Sequence, residues 1–513
     1  MSRFDRLSLL LVTAVAALLR LPGIDARGAF DADQGHDMRT LVAFTRDGLV
    51  PLLGPKTSVG EFHHGAFYYF LLAPAAAISN GDPVAVTAFI ALLGIGAVVL
   101  TWWLARAMAG PLAGALAGLL LAVSPAAISE STFIWNPNPI AFFAVLSLAA
   151  AWRARTPGAR RTRLLWAVAI GSAGAVTQLH VLGVVFLFAV LGLALLELRR
   201  DRGVALGIGG GFGIVVVVFL PLIVHELQTG FQETGYVLDY LRSGDPAPTG
   251  GPVAALAFTL LRIVGWPLVG LVTDVPALVA VLLAVVVGLV AVGLLRTRGS
   301  QRTALAWLVG MLAWSAVALA FAAPSLQRVV PGLPNDHYHA FVDPIVILLI
   351  AIPAAGLLET AMAAWRSSRR TIGAALAGVI AAGVVALMVT GLLRMPPAAD
   401  PDGGWPALRA AGERIAKVVG GGPVTLVGLP DFKLPDAVGF PIEVAGVAMV
   451  ASSGSTGRYT IVACDRLFES VMHQPCGGPA ETVLVPGSSS LVLIDRFPAS
   501  PRTVISIYDN PAP

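Results

Sequence analysis

The sequence predicts a mainly α-helical, polytopic membrane protein that ends in a small soluble α/β segment. Three observations predict it. Of 513 residues, 56% are hydrophobic and only 12% are charged, against roughly a quarter charged in soluble domains, and the mean hydropathy is +0.80. Apolar runs long enough to cross a bilayer, about 17 to 25 residues each, recur along most of the chain. After Arg394-Met395-Pro396-Pro397 the hydropathy falls, and short runs with strand-like patterning take over.

In chain order, spans are expected at Leu7 to Ile24, Val84 to Ala105, Pro111 to Ser129, Asn138 to Trp152, Leu164 to His180, Val181 to Leu198, Val204 to Val224, Pro276 to Leu295, Thr303 to Ala323, Ala340 to Thr360 and Ile372 to Leu392, eleven in all. The opening Ser2-Arg3-Phe4-Asp5-Arg6 followed by an apolar run reads as a retained first span rather than a cleaved signal. Short loops orient the spans, because basic residues accumulate on the cytoplasmic side. One alternation puts Arg3 and Arg6, Arg106, Arg153 to Arg163, Arg199 to Arg202, Arg296 to Arg302 and Arg366 to Arg370 together inside. Those segments hold 17 of the 34 Lys and Arg residues but only Asp5, Glu197, Asp201 and Glu359 of the 30 acids.

This parity needs two apolar stretches, Gly65 to Ser79 and Val253 to Val272, to lie flat at the interface. It leaves residues 1–393 as a membrane domain with a cytoplasmic N-terminus, and residues 394–513 as an extracytoplasmic α/β domain. In that domain a helix is expected over Trp405 to Val419 and strands near Val424 to Gly428, Tyr459 to Ala463, Ser490 to Ile494 and Thr503 to Ile507. The basic pI near 9.3 reflects the short basic loops between spans, so nucleic acid is not an expected partner. The two cysteines, Cys464 and Cys476, are too few for a zinc motif, and in an oxidising compartment they are candidates to pair.

Polar residues gather at the outer ends of these spans. The first outer loop holds Asp31, Asp33, Gln34, His36 and Asp37, then Lys56, then Glu61, His63 and His64, with Tyr68 close behind. Later come Glu130, Trp135-Asn136-Pro137, Gln178 and His180, and Asp336-His337-Tyr338-His339 with Asp343. Singly, each has a plain structural reading: Asp33 suits a helix N-cap, Gln178 and His180 suit interhelical hydrogen bonds, and Trp135 and Tyr338 suit an aromatic belt. Yet seven of eight histidines, all but His473, fall in these loops or span ends. Ionisable residues clustered at a membrane edge point to function. Substitution at an anomeric carbon needs a base near the nucleophile and cations for a departing phosphate. Asp33, Asp31 or Asp37 supplies the first, and Lys56, Arg39 or Arg328 the second. A divalent metal ion held by Glu61, His63 and His64 with an aspartate is the other arrangement such residues allow.

Asp33-Gln34 with Asp37 after the first span, Gly54-Pro55-Lys56-Thr57-Ser58, His64-Gly65 with Tyr68-Tyr69, Ser124-Pro125, Trp135-Asn136-Pro137 and the approach of His337-Tyr338 to Pro344 form a pattern. It resembles the GT-C glycosyltransferase superfamily, in the group of protein O-mannosyltransferases, lipid A aminoarabinose transferases and related polyprenyl-phosphate-sugar transferases. The resemblance covers roughly the first 360 residues. It implies a GT-C fold with two juxtamembrane helices in a large first outer loop, a dolichyl- or polyprenyl-phosphate sugar donor, and a glycan, lipid or protein acceptor. It further implies an inverting transfer with an aspartate base at Asp33, Asp31 or Asp37, and Lys56, Glu61, His64, Tyr68, Asn136, His180, His337 and Tyr338 about the substrates, in the inner (plasma) membrane. Relatives commonly read Asp-Glu where this chain has Asp33-Gln34. The rival reading is a lipid-linked oligosaccharide flippase or other transporter, which would carry polar groups at mid-depth in interrupted spans.

Overall fold

The computed structural model describes residues 1–155, 161–243, 251–329, 336–366, 370–450, 457–479, 481, 483, 485 and 490–510. Seven helices among these are long and apolar enough to cross a membrane: Pro83–Ala109, Gly203–Thr229, Gly251–Val269, Pro276–Arg296, Gly299–Ala322, Asp336–Trp365 and Thr371–Leu393. Six coincide with expected spans. The other five expected spans form shorter or more charged helices: Arg3–Arg20, Pro111–Ala122 continued by Pro125–Ser129, Ile140–Arg155, Thr162–Leu179 and Gly183–Leu198. Of the two stretches read as lying flat, Phe67–Ile78 has 12 residues, about 18 Å of helix and too short to span. Gly251–Val269 instead has a span's length and hydropathy.

Local sequence explains where helices stop. Asp82 caps the helix that Pro83 begins, and Gly110, at φ +100°, ends it one residue before Pro111 opens the next. That next helix breaks at Ala122, and the buried Arg20 donates to the freed Ala122 carbonyl (2.9 Å) and to the Ser131 hydroxyl (3.2 Å). Helices Thr162–Leu179 and Gly203–Thr229 pack along glycines; a Cβ at Gly211 would lie 2.6 Å from that of Ile170, so only glycine permits the approach.

Between the first and second of these bundle helices, residues 32–78 build helix Ala32–Asp47, a short antiparallel hairpin of Leu53–Lys56 with His63–Gly65, and helix Phe67–Ile78. At the C-terminal end, four strands lie in the order Val424–Leu429, Tyr459–Asp465, Thr503–Asp509, Val492–Pro498, the first pair parallel and the rest antiparallel. Helices Gly404–Val419 and Asp436–Val444 accompany the sheet. The second of these was not foreseen, because nine residues interrupted by Pro441 carry little helical periodicity. Cys464 and Cys476 are joined in a disulfide, with Cα atoms 5.6 Å apart. The sheet region is not tethered loosely: Phe30 packs against Trp405 (4.9 Å between ring centroids) and Phe440 (6.2 Å).

Candidate functional site

Helix Ala32–Asp47 is the centre of the polar cluster. Its N-cap is Asp31, not Asp33: Asp31 has extended backbone, its carboxylate accepts from the Ala32 N–H (2.7 Å), and Gln34 completes a capping box. The Gln34 amide is used at both ends, its oxygen accepting from the Asp31 N–H (2.8 Å) and its nitrogen donating to the Ile134 carbonyl (2.8 Å). Gln34 is therefore a buried strut to the segment that bears Trp135.

The three aspartates have different surroundings. Asp31 is paired with Lys433 (3.0 Å) and Arg502 (3.3 Å) of the sheet region; burial opposes ionisation, but these cations bring its pKa below the ordinary value. Asp37 is 1% exposed and accepts from the hydroxyls of Tyr68 (2.9 Å) and Tyr69 (2.8 Å). Loss of hydration outweighs those two bonds and raises its pKa to about 7. Asp33 is exposed and makes no side-chain hydrogen bond or ion pair among the described residues. Enough protein surrounds it that lost hydration, and then the Asp31 carboxylate, raise its pKa.

An aromatic cluster is assembled from distant segments around Tyr338. Tyr338, within electrostatic reach of Asp33, stacks on His180 (4.1 Å, 16° between planes) and meets Trp135 at 5.6 Å. Its hydroxyl lies 3.5 Å from that of Ser58. His337 meets Trp135 (5.0 Å) and Trp266 (5.2 Å) and contacts the Asn138 side-chain oxygen at 3.2 Å. Asn136 donates to the Leu179 carbonyl (2.6 Å) and so fixes the Trp135 turn against the end of helix Thr162–Leu179. Behind His180 lies buried His64, at 4.6 Å between rings; burial pushes its pKa down to about 3, so it is neutral. Buried Arg262 grips Asp336 through two bonds (2.7 and 2.8 Å) and holds the His337-Tyr338 turn in place.

Other predicted residues are engaged elsewhere. Lys56 pairs with Glu61 (2.6 Å) at the surface, and Arg39 pairs with Asp436 and Glu443. Glu61, His63 and His64 do not converge as metal ligands: Glu61 faces Lys56, His63 faces Glu233 (3.1 Å), and His64 faces His180. No group of three His, Cys, Asp or Glu residues suited to a metal ion occurs among the described residues, and these side chains do not fit one. Lys433, Arg502 and Asp436, some 400 to 470 positions from the residues they touch on this helix and its cap, left no signal in the sequence. A small open cleft lies beside Gly28 to Phe30, Thr132 to Ile134 and Trp405, and none of the predicted site residues lines it.

Residues 49–229 match the family model of dolichyl-phosphate-mannose-protein mannosyltransferase. That segment includes Lys56, Glu61, His64, Tyr68, Asn136 and His180 and starts after Asp37. No curated protein sequence matches. Among solved structures, ArnT from Cupriavidus metallidurans bound to undecaprenyl phosphate is similar at 16% identity over 97% of each chain, with a TM-score of 0.54. The archaeal oligosaccharyltransferase AglB from Archaeoglobus fulgidus, in complex with an inhibitory peptide and a dolichol-phosphate, is similar at 12% identity over 100% of this chain and 75% of its own, with a TM-score of 0.56. The likeness in fold thus runs on through the C-terminal sheet, beyond the stretch in which motifs were legible. The chain thus shares the fold of these two structures, and its long apolar helices make it a multi-pass membrane protein.

Proposed function

We propose that the protein moves a sugar from a polyprenyl-phosphate donor to an extracytoplasmic glycan, lipid or protein acceptor, with Asp33 as general base. The acceptor O–H or N–H attacks the anomeric carbon as the bond from that carbon to the phosphate oxygen breaks. The proton passes to Asp33, polyprenyl phosphate departs, and attack from the opposite face inverts the centre. One observation carries this reading: of the three aspartates on this helix, Asp33 alone is exposed and without a hydrogen-bond or ion-pair partner among the described residues, and it lies within electrostatic reach of Tyr338. A raised pKa suits it to accept a proton near neutrality.

The donor class is suggested by the undecaprenyl phosphate and dolichol-phosphate named with the two similar structures. For the phosphate, Lys56 is the candidate cation. Its pairing with Glu61 is exposed on both sides, is worth little in water, and can be exchanged for a phosphate oxygen. Arg328 is a second exposed cation, whereas Arg39 is held by two carboxylates. Residues 1–393 are read as the catalytic membrane domain, in the inner (plasma) membrane with a cytoplasmic N-terminus, and residues 394–513 as an extracytoplasmic domain. The test is transfer by extracted membranes from a panel of radiolabelled polyprenyl-phosphate sugars, wild type against Asp33→Asn. Loss of a general base lowers turnover by about 10²- to 10⁴-fold. Normal transfer by Asp33→Asn, Asp31→Asn, Asp37→Asn and the triple variant would overturn the mechanism.

A further inference from the structure

Five contacts join the C-terminal sheet region to one short stretch of helix Ala32–Asp47 and its cap. Lys433 reaches Asp31 at 3.0 Å and Asp465 at 3.6 Å, and Arg502 reaches Asp465 at 2.7 Å and Asp31 at 3.3 Å. One turn on, His36 (3.0 Å) and Arg39 meet Asp436, and Arg39 also meets Glu443 (3.0 Å). Between the two groups, Gly35 lies so close that a Cβ there would fall 2.1 Å from the Asp436 carbonyl oxygen. Asp33 sits inside this clamp, two residues from the Asp31 cap and two from Gly35.

We propose that Lys433, supplied by the C-terminal sheet region, is a positioning residue for the transfer: through Asp31 it holds Asp33 in place and ionised. This rests on Asp33 being the base. The charge logic is local. Asp31 and Asp33 are two carboxylates at one helix N-terminus, and each disfavours ionisation of the other. Lys433 neutralises Asp31 directly and acts on Asp33 at longer range. The remaining groups that act on Asp33 are His36 and Asp37 on its own helix, Tyr68 and Tyr69 from helix Phe67–Ile78, and Tyr338. None of these is a fixed cation. Lys433 is the fixed positive charge that meets Asp31 at the shorter distance, 3.0 Å against 3.3 Å for Arg502. The sheet region thereby contributes to the site without touching substrate. The arrangement also accounts for glycine at position 35 and for a loop, Leu429 to Leu434, that carries a lysine toward the bundle.

The experiment reads Asp33 without any sugar donor. The full-length protein in detergent is treated with a water-soluble carbodiimide and glycine ethyl ester between pH 4 and 8, and mass spectrometry follows modification of Asp33, which falls as the carboxyl ionises. Lys433→Met is expected to move the midpoint up by about one pH unit, roughly tenfold more modification at a fixed pH on the falling limb. Lys433→Arg leaves the midpoint in place, and Asp31→Asn moves it down. The double variant Asp31→Asn with Lys433→Met, which leaves no unpaired charge, returns it to the wild-type value. If Lys433→Met does not fold, the comparison of Asp31→Asn with the double variant decides: equal midpoints overturn the proposal, as does an unmoved midpoint in folded Lys433→Met. Normal sugar transfer by Asp33→Asn would instead sink the assignment of the base and leave the labelling outcome standing.

Discussion

Replacing Asp37 by asparagine should remove a pH dependence of stability that the wild-type protein carries. Asp37 is buried, and its pKa rises from 3.8 to about 7 on folding because the loss of hydration exceeds what the Tyr68 and Tyr69 hydroxyls return. The folded state thus keeps a proton that the unfolded state releases. This contribution to stability is fully present below about pH 4, declines as pH rises, and is gone above about pH 7. The slope approaches 1.4 kcal/mol per pH unit and the whole change is about 4 kcal/mol. Asparagine still accepts one phenolic hydroxyl, so at low pH the variant loses about one hydrogen bond, roughly 1 kcal/mol. Above pH 7 it should equal or exceed the wild type, since no carboxylate needs to ionise in a buried place. The assay is the thermal midpoint of detergent-purified protein by intrinsic fluorescence from pH 4 to 8, read as the difference between variant and wild type so that other titrating groups cancel. Parallel profiles across this window would refute the reasoning.

Three other outcomes follow from the geometry. Gly35→Ala should lower the thermal midpoint and raise hydrogen exchange in residues 424–429 and 503–509, because its Cβ would strike the Asp436 backbone; unchanged exchange would mean that the sheet region is held elsewhere. Non-reducing alkylation and mass spectrometry should find Cys464 and Cys476 joined, and reduction should cost about 2 to 4 kcal/mol for a separation of 12 residues; two free thiols would rule the bridge out. On a background lacking both native cysteines, a cysteine at Ser453 should react with an impermeant thiol reagent on intact cells and one at Ser368 should not; both positions lie outside the described residues. Labelling at Ser368 would end the proposed orientation.

The bilayer makes part of this protein legible in one dimension. Long apolar runs at Val84 to Ala105, Val204 to Val224 and Ile372 to Leu392 each correspond to a helix, because a backbone in hydrocarbon must satisfy its own hydrogen bonds within the segment. The strands were read for a similar reason, from alternation over a few residues. The stretch at Gly251–Val269 has the length and hydropathy of a span, and Arg262 and Trp266, which resemble interfacial anchors in the sequence, are both buried, Arg262 on Asp336 and Trp266 on Glu130.

Sequence alone also nominated the site residues, since membrane-edge aspartates and histidines are costly to keep. It could not sort them. Asp31, Asp33 and Asp37 are one residue type within seven positions, and their differences come from contacts made across the fold. Lys433 and Arg502 reach back some 400 and 470 residues to Asp31, Tyr68 and Tyr69 cover Asp37, and Asp33 is left exposed within electrostatic reach of Tyr338. Charge and hydropathy act locally along a chain, so the sequence by itself determined the helices, the sheet and the polar residues in play. Burial and pairing depend on what the chain brings alongside, and only the tertiary structure decided which carboxylate is a cap, which is buried, and which is exposed.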